Sequence, residues 1–60
     1  MTSRDIERIL LEDGWYMVDQ VGSHRHYKHD FKPGKITIPF HRGDINIKTA
    51  KSILKQAGLR

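Results

Sequence analysis

The sequence predicts an α+β fold with the element order α-β-β-β-α. Two segments, one near each end of the chain, carry apolar residues at helical spacing. Between them lie three stretches rich in aromatic and β-branched residues, separated by turns that contain glycine or proline. Such elements pack most simply as a three-stranded antiparallel sheet with both helices on one face and water on the other. We expect one domain over residues 1–60, since a chain this short supports a single small core.

The first helix is predicted from about residue 3 to residue 13. Thr2 and Asp5 have the spacing of a capping box at its start, and Gly14 is suited to end it. The buried stripe is predicted to consist of Ile6, Ile9 and Leu10.

The three strands follow from Trp15 onward. WYMVDQV and SHRHYKHDF flank Gly22-Ser23, which predicts a hairpin with a type II′ turn because glycine accepts the positive φ of the first central position. KPGK (32–35) predicts a second turn, and KITIPF then places Ile36, Ile38 and Phe40 on one face of a third strand. Pro39 cannot donate a ladder hydrogen bond, so we expect this strand at an edge.

The last helix is predicted within INIKTAKSILKQA (45–57), after a loop at HRGD (41–44). Asp44 or Asn46 can cap its start, and Gly58 can end it with Leu59 making an apolar contact beyond. The predicted apolar stripe is Ile47, Ala50, Ile53, Leu54 and Ala57.

Charge is unevenly distributed along the chain. Residues 1–22 carry two basic and five acidic side chains, a net charge of −3, whereas residues 23–60 carry nine basic and two acidic ones, a net charge of +7. A basic half of this density attracts polyanions such as nucleic acid, although a solvated face that serves only solubility has the same composition.

Composition limits the cellular compartments and the classes of protein that need to be considered. The chain has no cysteine, so disulfides and thiolate metal sites are excluded. Its longest apolar run, Ile9 to Leu11, is far too short for a membrane span or a signal sequence. We therefore expect a cytoplasmic protein that does not contact a membrane.

Three of the four histidines fall within six positions, at His24, His26 and His29. Alternation along the second strand puts His24, His26 and Lys28 on one face, and Tyr27 and Phe31 on the other. Since Tyr27 and Phe31 are the natural core residues, we expect the first three side chains on the open face of the sheet.

Three interpretations of this row remain open. The histidines can simply fill a polar sheet face. They can share a metal ion, although no carboxylate or cysteine lies at a usual ligand spacing and Lys28 opposes a cation. They can also perform acid–base chemistry on a phosphodiester, with Arg25, Lys28 and Lys35 stabilising the charge of the transition state.

An ordered set of short motifs resembles the HicA toxins of bacterial and archaeal toxin–antitoxin systems. The set comprises Gly14-Trp15, Gly22-Ser23-His24 with an aromatic residue three positions on, Pro39-x-His41, and the helix SILKQAGL (52–59). No single tripeptide is specific, but the order and spacing cover essentially the whole chain.

The resemblance implies an mRNA interferase with a fold like that of double-stranded-RNA-binding domains, neutralised by a HicB antitoxin. It implies that His24 is the catalytic residue and that Gly22 and Ser23 position it through the turn. We expect no metal, because no metal ligand set is visible in the sequence, and no small-molecule cofactor. The predicted RNA contacts are Gly22, Ser23, Arg25, Lys28, Lys35, Lys48 and Lys51.

A non-catalytic RNA-binding module is the alternative. Lys48 and Lys51 lie in the first turns of the last helix, where the helix end and two cations can meet phosphates. Such a module needs these lysines but not His24, whereas a nuclease needs both. A purely structural adaptor is a third class, for which the sequence offers no exposed apolar stripe.

Overall fold

A computed structural model describes residues 1–59 and has the predicted order of elements. The elements are α1 (Ser3–Glu12), β1 (Tyr16–Val21), β2 (His24–Lys28), β3 (Ile36–Pro39) and α2 (Ile47–Gln56). The strands form one antiparallel sheet in the order β1-β2-β3, so β3 lies at an edge as Pro39 predicts. Both helices pack against β3 and against each other. The predicted α+β architecture is confirmed.

The core lies between the helices and one face of the sheet. Because side chains alternate between the two faces of a strand, Tyr27 in β2 and Ile36 and Ile38 in β3 are buried on this face. The other buried apolar residues are Ile6, Leu10, Trp15, Ile45, Ala50, Ile53 and Ala57. Ile9 is only partly buried, so the stripe of α1 is narrower than predicted.

α1 begins and ends as the sequence predicts. The Thr2 hydroxyl accepts from the Asp5 backbone N–H at 3.1 Å, and the Asp5 carboxylate accepts from the Thr2 N–H at 3.0 Å, which completes the capping box. At the other end Trp15 N–H donates to the Leu10 carbonyl and Gly14 N–H to the Leu11 carbonyl. This is a Schellman motif, and the φ of +102° at Gly14 is the left-handed value it requires.

α2 starts two residues later than the predicted segment. Asn46 is its N-cap and accepts from the Lys48 N–H at 2.8 Å. Ile47 is consequently 59% exposed, and the predicted place of Ile47 in the apolar stripe is wrong. Ile45, before the cap, is buried instead together with Ala50, and these two residues occupy the positions of a hydrophobic staple.

α2 ends in the same motif as α1. Leu59 N–H donates to the Leu54 carbonyl and Gly58 N–H to the Lys55 carbonyl. Leu59 packs against the core, as predicted.

The prediction of Phe31 as a core residue is wrong, because β2 ends at Lys28 and Phe31 is 91% exposed. The cause is the side chain of His29. Its Nδ1 accepts from the backbone N–H groups of Phe31 and Lys32, at 3.0 and 3.1 Å, and turns the chain away from the strand direction. Residues 29–35 therefore form a longer connection than the tight turn predicted at 32–35.

This connection docks onto the C-terminal ends of both helices. The Lys32 ammonium contacts the Asp13 carboxylate at 2.5 Å and the Ala57 carbonyl at 3.0 Å. His29 Nε2 donates to the Asp13 carbonyl at 2.7 Å, and the ring meets Trp15 edge-on. We call His29, Lys32, Asp13 and Trp15 the helix-end clamp.

We expect Gly14→Ala to destabilise the fold more than Gly34→Ala. Both glycines have a positive φ, which costs an alanine about 1–2 kcal/mol. At Gly14 a Cβ would also lie 2.8 Å from His29 Nε2, whereas nothing lies within 4 Å at Gly34. Urea unfolding of the two variants measures the difference. Equal losses of unfolding free energy would contradict a role for the close approach of His29.

We also expect the clamp to make stability depend on acidic pH. The hydrogen bond from Lys32 is the main cause that holds the pKa of the Asp13 carboxyl below its usual 3.8. A carboxyl with a lowered pKa in the folded state stabilises above the unfolded pKa, and loses that contribution as pH falls through the folded value. Asp13→Asn should therefore be less stable than the parent at neutral pH and show a flatter decline below about pH 3.8. The exposed neighbour Glu12→Gln is the matched control, and an Asp13→Asn profile parallel to the parent's would refute the assignment.

Candidate functional site

The sheet face that carries no helix is the candidate site, and we call it the open face. Because Tyr27, Ile36 and Ile38 point into the core, alternate residues of β2 and β3 point away from it. Cross-strand pairing then sets three rows: Tyr16 with Lys28, Asp19 with His26 and Thr37, and Val21 with His24 and Pro39.

His24 is the first residue of β2 and is exposed on the open face. It follows the Gly22-Ser23 turn directly. Gly22 has a φ of +60° and Ser23 does not have a positive φ, which agrees with the predicted type II′ turn and not with type I′. Within residues 1–59 the His24 side chain has no hydrogen-bond partner, so its imidazole is free to meet a ligand.

His26 differs from His24 because its ring is held between two neighbours. Its Nδ1 lies 2.8 Å from the Thr37 hydroxyl on β3, and its Nε2 lies 3.9 Å from the Asp19 carboxylate on β1. The side chain is only 18% exposed. The position of Asp19 opposite His26 depends on a register shift between Met17 and Asp19, where β1 bulges.

His29 has a structural role. Because its Nδ1 accepts two backbone N–H groups, the ring proton is on Nε2, where it is donated to the Asp13 carbonyl. Its side chain is buried in the helix-end clamp, away from the open face. The three clustered histidines therefore have different surroundings: His24 is exposed, His26 is held between β1 and β3, and His29 is buried in the clamp.

A groove of about 410 Å³ runs between β3 and α2 and opens beside the open face. It is lined by Lys35, Thr37, Pro39, Lys48, Thr49, Ser52, Ile53 and Gln56. None of these is acidic, and the first turn of α2 also lacks an acidic residue. The lining thus offers ammonium, hydroxyl and amide groups, which suit an anion. We call it the β3–α2 groove.

The groove brings together two of the lysines that the sequence predicts as RNA contacts. α2 runs antiparallel to β3, since its C-terminal end meets Lys32 in the connection that precedes β3. Lys48 consequently lies at the Pro39 end of the groove, and Pro39 is paired with His24. Lys35 lies at the other end, and Lys51 is exposed outside the lining.

Lys28 is also distant from His24. Four residues of a strand span about 13 Å, so Lys28 lies at the far end of the open face, near Lys35. The structure therefore does not bring Lys28 and Lys35 to His24, although both face the same side of the sheet.

Arg25 is on the helix-covered face, in a separate cluster. Its Nη1 donates to the Glu7 carboxylate at 3.1 Å, and its guanidinium lies 3.9 Å from the centre of the Phe40 ring. The same Glu7 oxygen accepts from the Tyr27 hydroxyl at 2.6 Å. Burial, reinforced by the Glu7 carboxylate, raises the pKa of the Tyr27 hydroxyl far above its ordinary value. These contacts give Arg25 a packing role and direct its charge away from His24.

His41 is exposed in the loop after β3, and its Nδ1 contacts the Arg42 carbonyl at 2.8 Å. It borders a second cleft of about 300 Å³ next to the start of α1. The backbone there is fixed by Ser3, whose buried hydroxyl donates to the Pro39 carbonyl at 2.7 Å.

Two further findings concern residues 1–59. No group of three or more histidine, aspartate or glutamate side chains lies together in them in a way that would hold a metal ion. Neither helix has the length and apolar character needed to cross a bilayer.

Thr37, Thr49 and Ser52 line the groove but are not among the predicted site residues, and the contact of Asp19 with His26 is likewise unpredicted. Alternation with Ile36 and Ile38 already places Thr37 on the open face, so that signal was present. The partners across the groove depend on how α2 lies against β3, which local sequence does not encode.

Comparison with known proteins gives three results. Residues 3–59 match the family model described as HicA toxin of bacterial toxin–antitoxin systems. A chain in the solved structure of a toxin–antitoxin complex from Streptococcus pneumoniae superposes with a TM-score of 0.83 at 33% identity, covering 98% of each chain. No curated protein matches significantly.

The family match spans almost the whole chain, and the solved relative has the same fold over nearly its full length. This chain therefore belongs to the HicA toxin family of bacterial toxin–antitoxin systems.

Proposed function

We propose that this toxin is a metal-independent endoribonuclease that cleaves mRNA in the cytoplasm, with His24 as the catalytic acid–base group. The observation that carries the proposal is the position of His24. It is an unpaired, exposed imidazole directly after a fixed turn, on a sheet face that adjoins a groove without carboxylates. Histidine is the side chain best suited to exchange protons near neutral pH.

The proposed reaction is an internal transesterification of RNA. The 2′-oxygen of the ribose attacks the adjacent phosphorus while the bond from phosphorus to the 5′-oxygen of the next nucleotide breaks. His24 accepts the proton of the 2′-hydroxyl, and the imidazolium so formed returns a proton to the leaving 5′-oxygen, directly or through water. The products are a 2′,3′-cyclic phosphate and a free 5′-hydroxyl.

Charge on the reacting phosphate requires a cation, and Lys48 is the best-placed candidate because it lies at the groove end next to Pro39 and His24. Lys28 and Lys35 then serve neighbouring phosphates of the strand. The open face is not a deep pocket, so RNA binds across it as an extended ligand whose phosphates meet successive cations.

We further propose that the antitoxin, a HicB-type protein, silences the toxin by covering the open face. A flat site offers no narrow entrance to block, so the surface itself must be occupied. An acidic partner surface would complement the basic half of the chain and speed association.

His24→Gln should reduce RNA cleavage by at least about 10²-fold with the fold intact, because glutamine keeps hydrogen bonding but cannot cycle a proton. His41→Gln is the matched control on the other exposed histidine. Cleavage should persist in EDTA and leave a 2′,3′-cyclic phosphate, and DNA should remain uncut because it lacks the nucleophile. Cleavage by His24→Gln at the parent's rate would overturn the assignment. If neither histidine matters and RNA still binds, the non-catalytic RNA-binding module is favoured.

Lys28→Glu with Lys35→Glu should slow association with the antitoxin more than it speeds dissociation, since charges at the edge of an interface act mainly on encounter. Arg8→Glu with Arg4→Glu is the matched control, because it changes net charge equally on exposed residues of α1 across the sheet from the open face. Stopped-flow association at low and high salt measures the effect. Equal slowing in both double variants would indicate a general charge effect and contradict coverage of the open face.

A further inference from the structure

The β3–α2 groove and the row Asp19–His26–Thr37 meet at one atom, the Thr37 hydroxyl. Thr37 lines the groove, and its Oγ1 lies 2.8 Å from His26 Nδ1. On the far side of the ring, Nε2 faces the Asp19 carboxylate at 3.9 Å. The side chains of Asp19, His26 and Thr37 therefore form a polar row that runs from β1, through β2, to the wall of the groove.

Which atom donates the hydrogen bond between His26 and Thr37 depends on which imidazole nitrogens carry a proton. When only Nε2 carries a proton, Nδ1 is an acceptor, and the Thr37 hydroxyl donates its single proton to the ring. Thr37 then offers only lone pairs to the groove, which repel an anion. When Nδ1 also carries a proton, it donates to Oγ1, and the hydroxyl proton is free to point into the groove. A neutral ring with its only proton on Nδ1 would turn the Nε2 lone pair toward the Asp19 carboxylate, so the doubly protonated ring is the form that suits both neighbours.

The geometry around His26 offers a partner to each proton of the second arrangement. Nε2 faces the Asp19 carboxylate at 3.9 Å, and Nδ1 can donate to Thr37 at 2.8 Å. Within residues 1–59, the other charged or titratable groups of this face are Tyr16 on β1, whose hydroxyl donates to Asp30 at 3.2 Å, His24 and Lys28 on β2, and Lys35 before β3. The helices lie on the opposite face. A bound phosphate adds a negative charge near Thr37, which stabilises the imidazolium.

We propose that the β3–α2 groove binds a backbone phosphate of RNA next to the scissile one, and that His26 is its positioning residue. In its protonated form His26 turns the Thr37 hydroxyl toward the phosphate, alongside Lys35 and the hydroxyls of Thr49 and Ser52. Binding thus takes up a proton, and affinity rises as pH falls through the range in which histidine titrates. The inference rests on the proposed function in that the ligand is RNA, but it assigns His26 no part in bond cleavage.

RNA affinity of the non-cleaving His24→Ala protein, measured by fluorescence anisotropy from about pH 8 to about pH 5.5, tests the coupling. Adding Thr37→Val keeps the shape of the side chain and the charge of His26 but removes the hydroxyl. We expect about tenfold weaker binding at the acidic end, where a hydrogen bond to a charged group is lost, and little change at the alkaline end. His26→Gln should flatten the dependence in the same way. Lys55→Gln, an exposed α2 residue outside the groove, should lower affinity equally at every pH.

An experiment without RNA provides a second measurement. Inorganic phosphate, added to the wild-type chain, should shift the NMR titration of the His26 ring toward higher pH and should perturb the amides of Thr49 and Ser52. In Thr37→Val the shift of the His26 titration should shrink, and the dispersion of the amide spectrum shows that the variant is folded.

The outcomes separate this inference from the proposed function. If wild type cleaves RNA and His24→Gln does not, but Thr37→Val binds like its parent at every pH, the groove assignment is overturned. If Thr37→Val weakens binding by the same factor at every pH, the hydroxyl contacts RNA but His26 does not control it, and the coupling is overturned. Failure of wild type to cleave RNA would refute the proposed function, and the phosphate titration would still report on the groove.

Discussion

The fold depends on the docking of one loop onto the C-terminal ends of both helices. Each helix ends in a Schellman motif, which satisfies some of its last carbonyls. The remaining carbonyls at the two helix ends would face water if no other group bound them. Lys32 binds the Ala57 carbonyl of α2 and the Asp13 carboxylate after α1, and His29 binds the Asp13 carbonyl. A cation is favourable at this position because the C-terminal end of a helix carries partial negative charge. The connection from β2 to β3 therefore ties the C-terminal ends of both helices to the sheet.

The clamp also accounts for the clear division between the two faces of the sheet. With both helices packed against β3, the long-range polar contacts of Glu7 with Arg25 and Tyr27 fall on the covered side. β1 lies beyond the helix layer, and all six of its residues are exposed. The opposite face keeps His24 free and His26 bridged, while His29 is turned into the clamp. Neighbouring histidines thus acquire different surroundings, because His24 begins β2, His26 lies within it opposite the β1 bulge, and His29 lies just beyond its end.

Much of the fold can be predicted from local sequence, because many of the interactions that define its elements join residues only a few positions apart. Three local features could be predicted because each depends only on residues close together in sequence. They are the Thr2–Asp5 capping box, the Gly22 turn and the alternation of β2. Phe31 was misplaced because one side chain, His29, ends the strand by binding two backbone N–H groups. Ile47 was misplaced because, as the first residue of α2, it is exposed, whereas Ile45 before the Asn46 cap fills the core. The pairing of Arg25 with Glu7 joins residues 18 positions apart, and the Asp19–His26 contact depends on a bulge, so neither has a local signal. The predicted catalytic and RNA-contact roles of the site residues stay predictions.

The separation of the two faces affects how such a toxin can evolve. The side chains that determine folding are concentrated under the helices and in the clamp, whereas the open face contributes mostly exposed groups with few partners. Under the proposed function, substitutions on that face can alter which transcripts are cut, or which antitoxin is recognised, with little loss of folding stability. If the antitoxin covers the open face as proposed, a few surface substitutions there can change the pairing of toxin and antitoxin while the architecture stays constant.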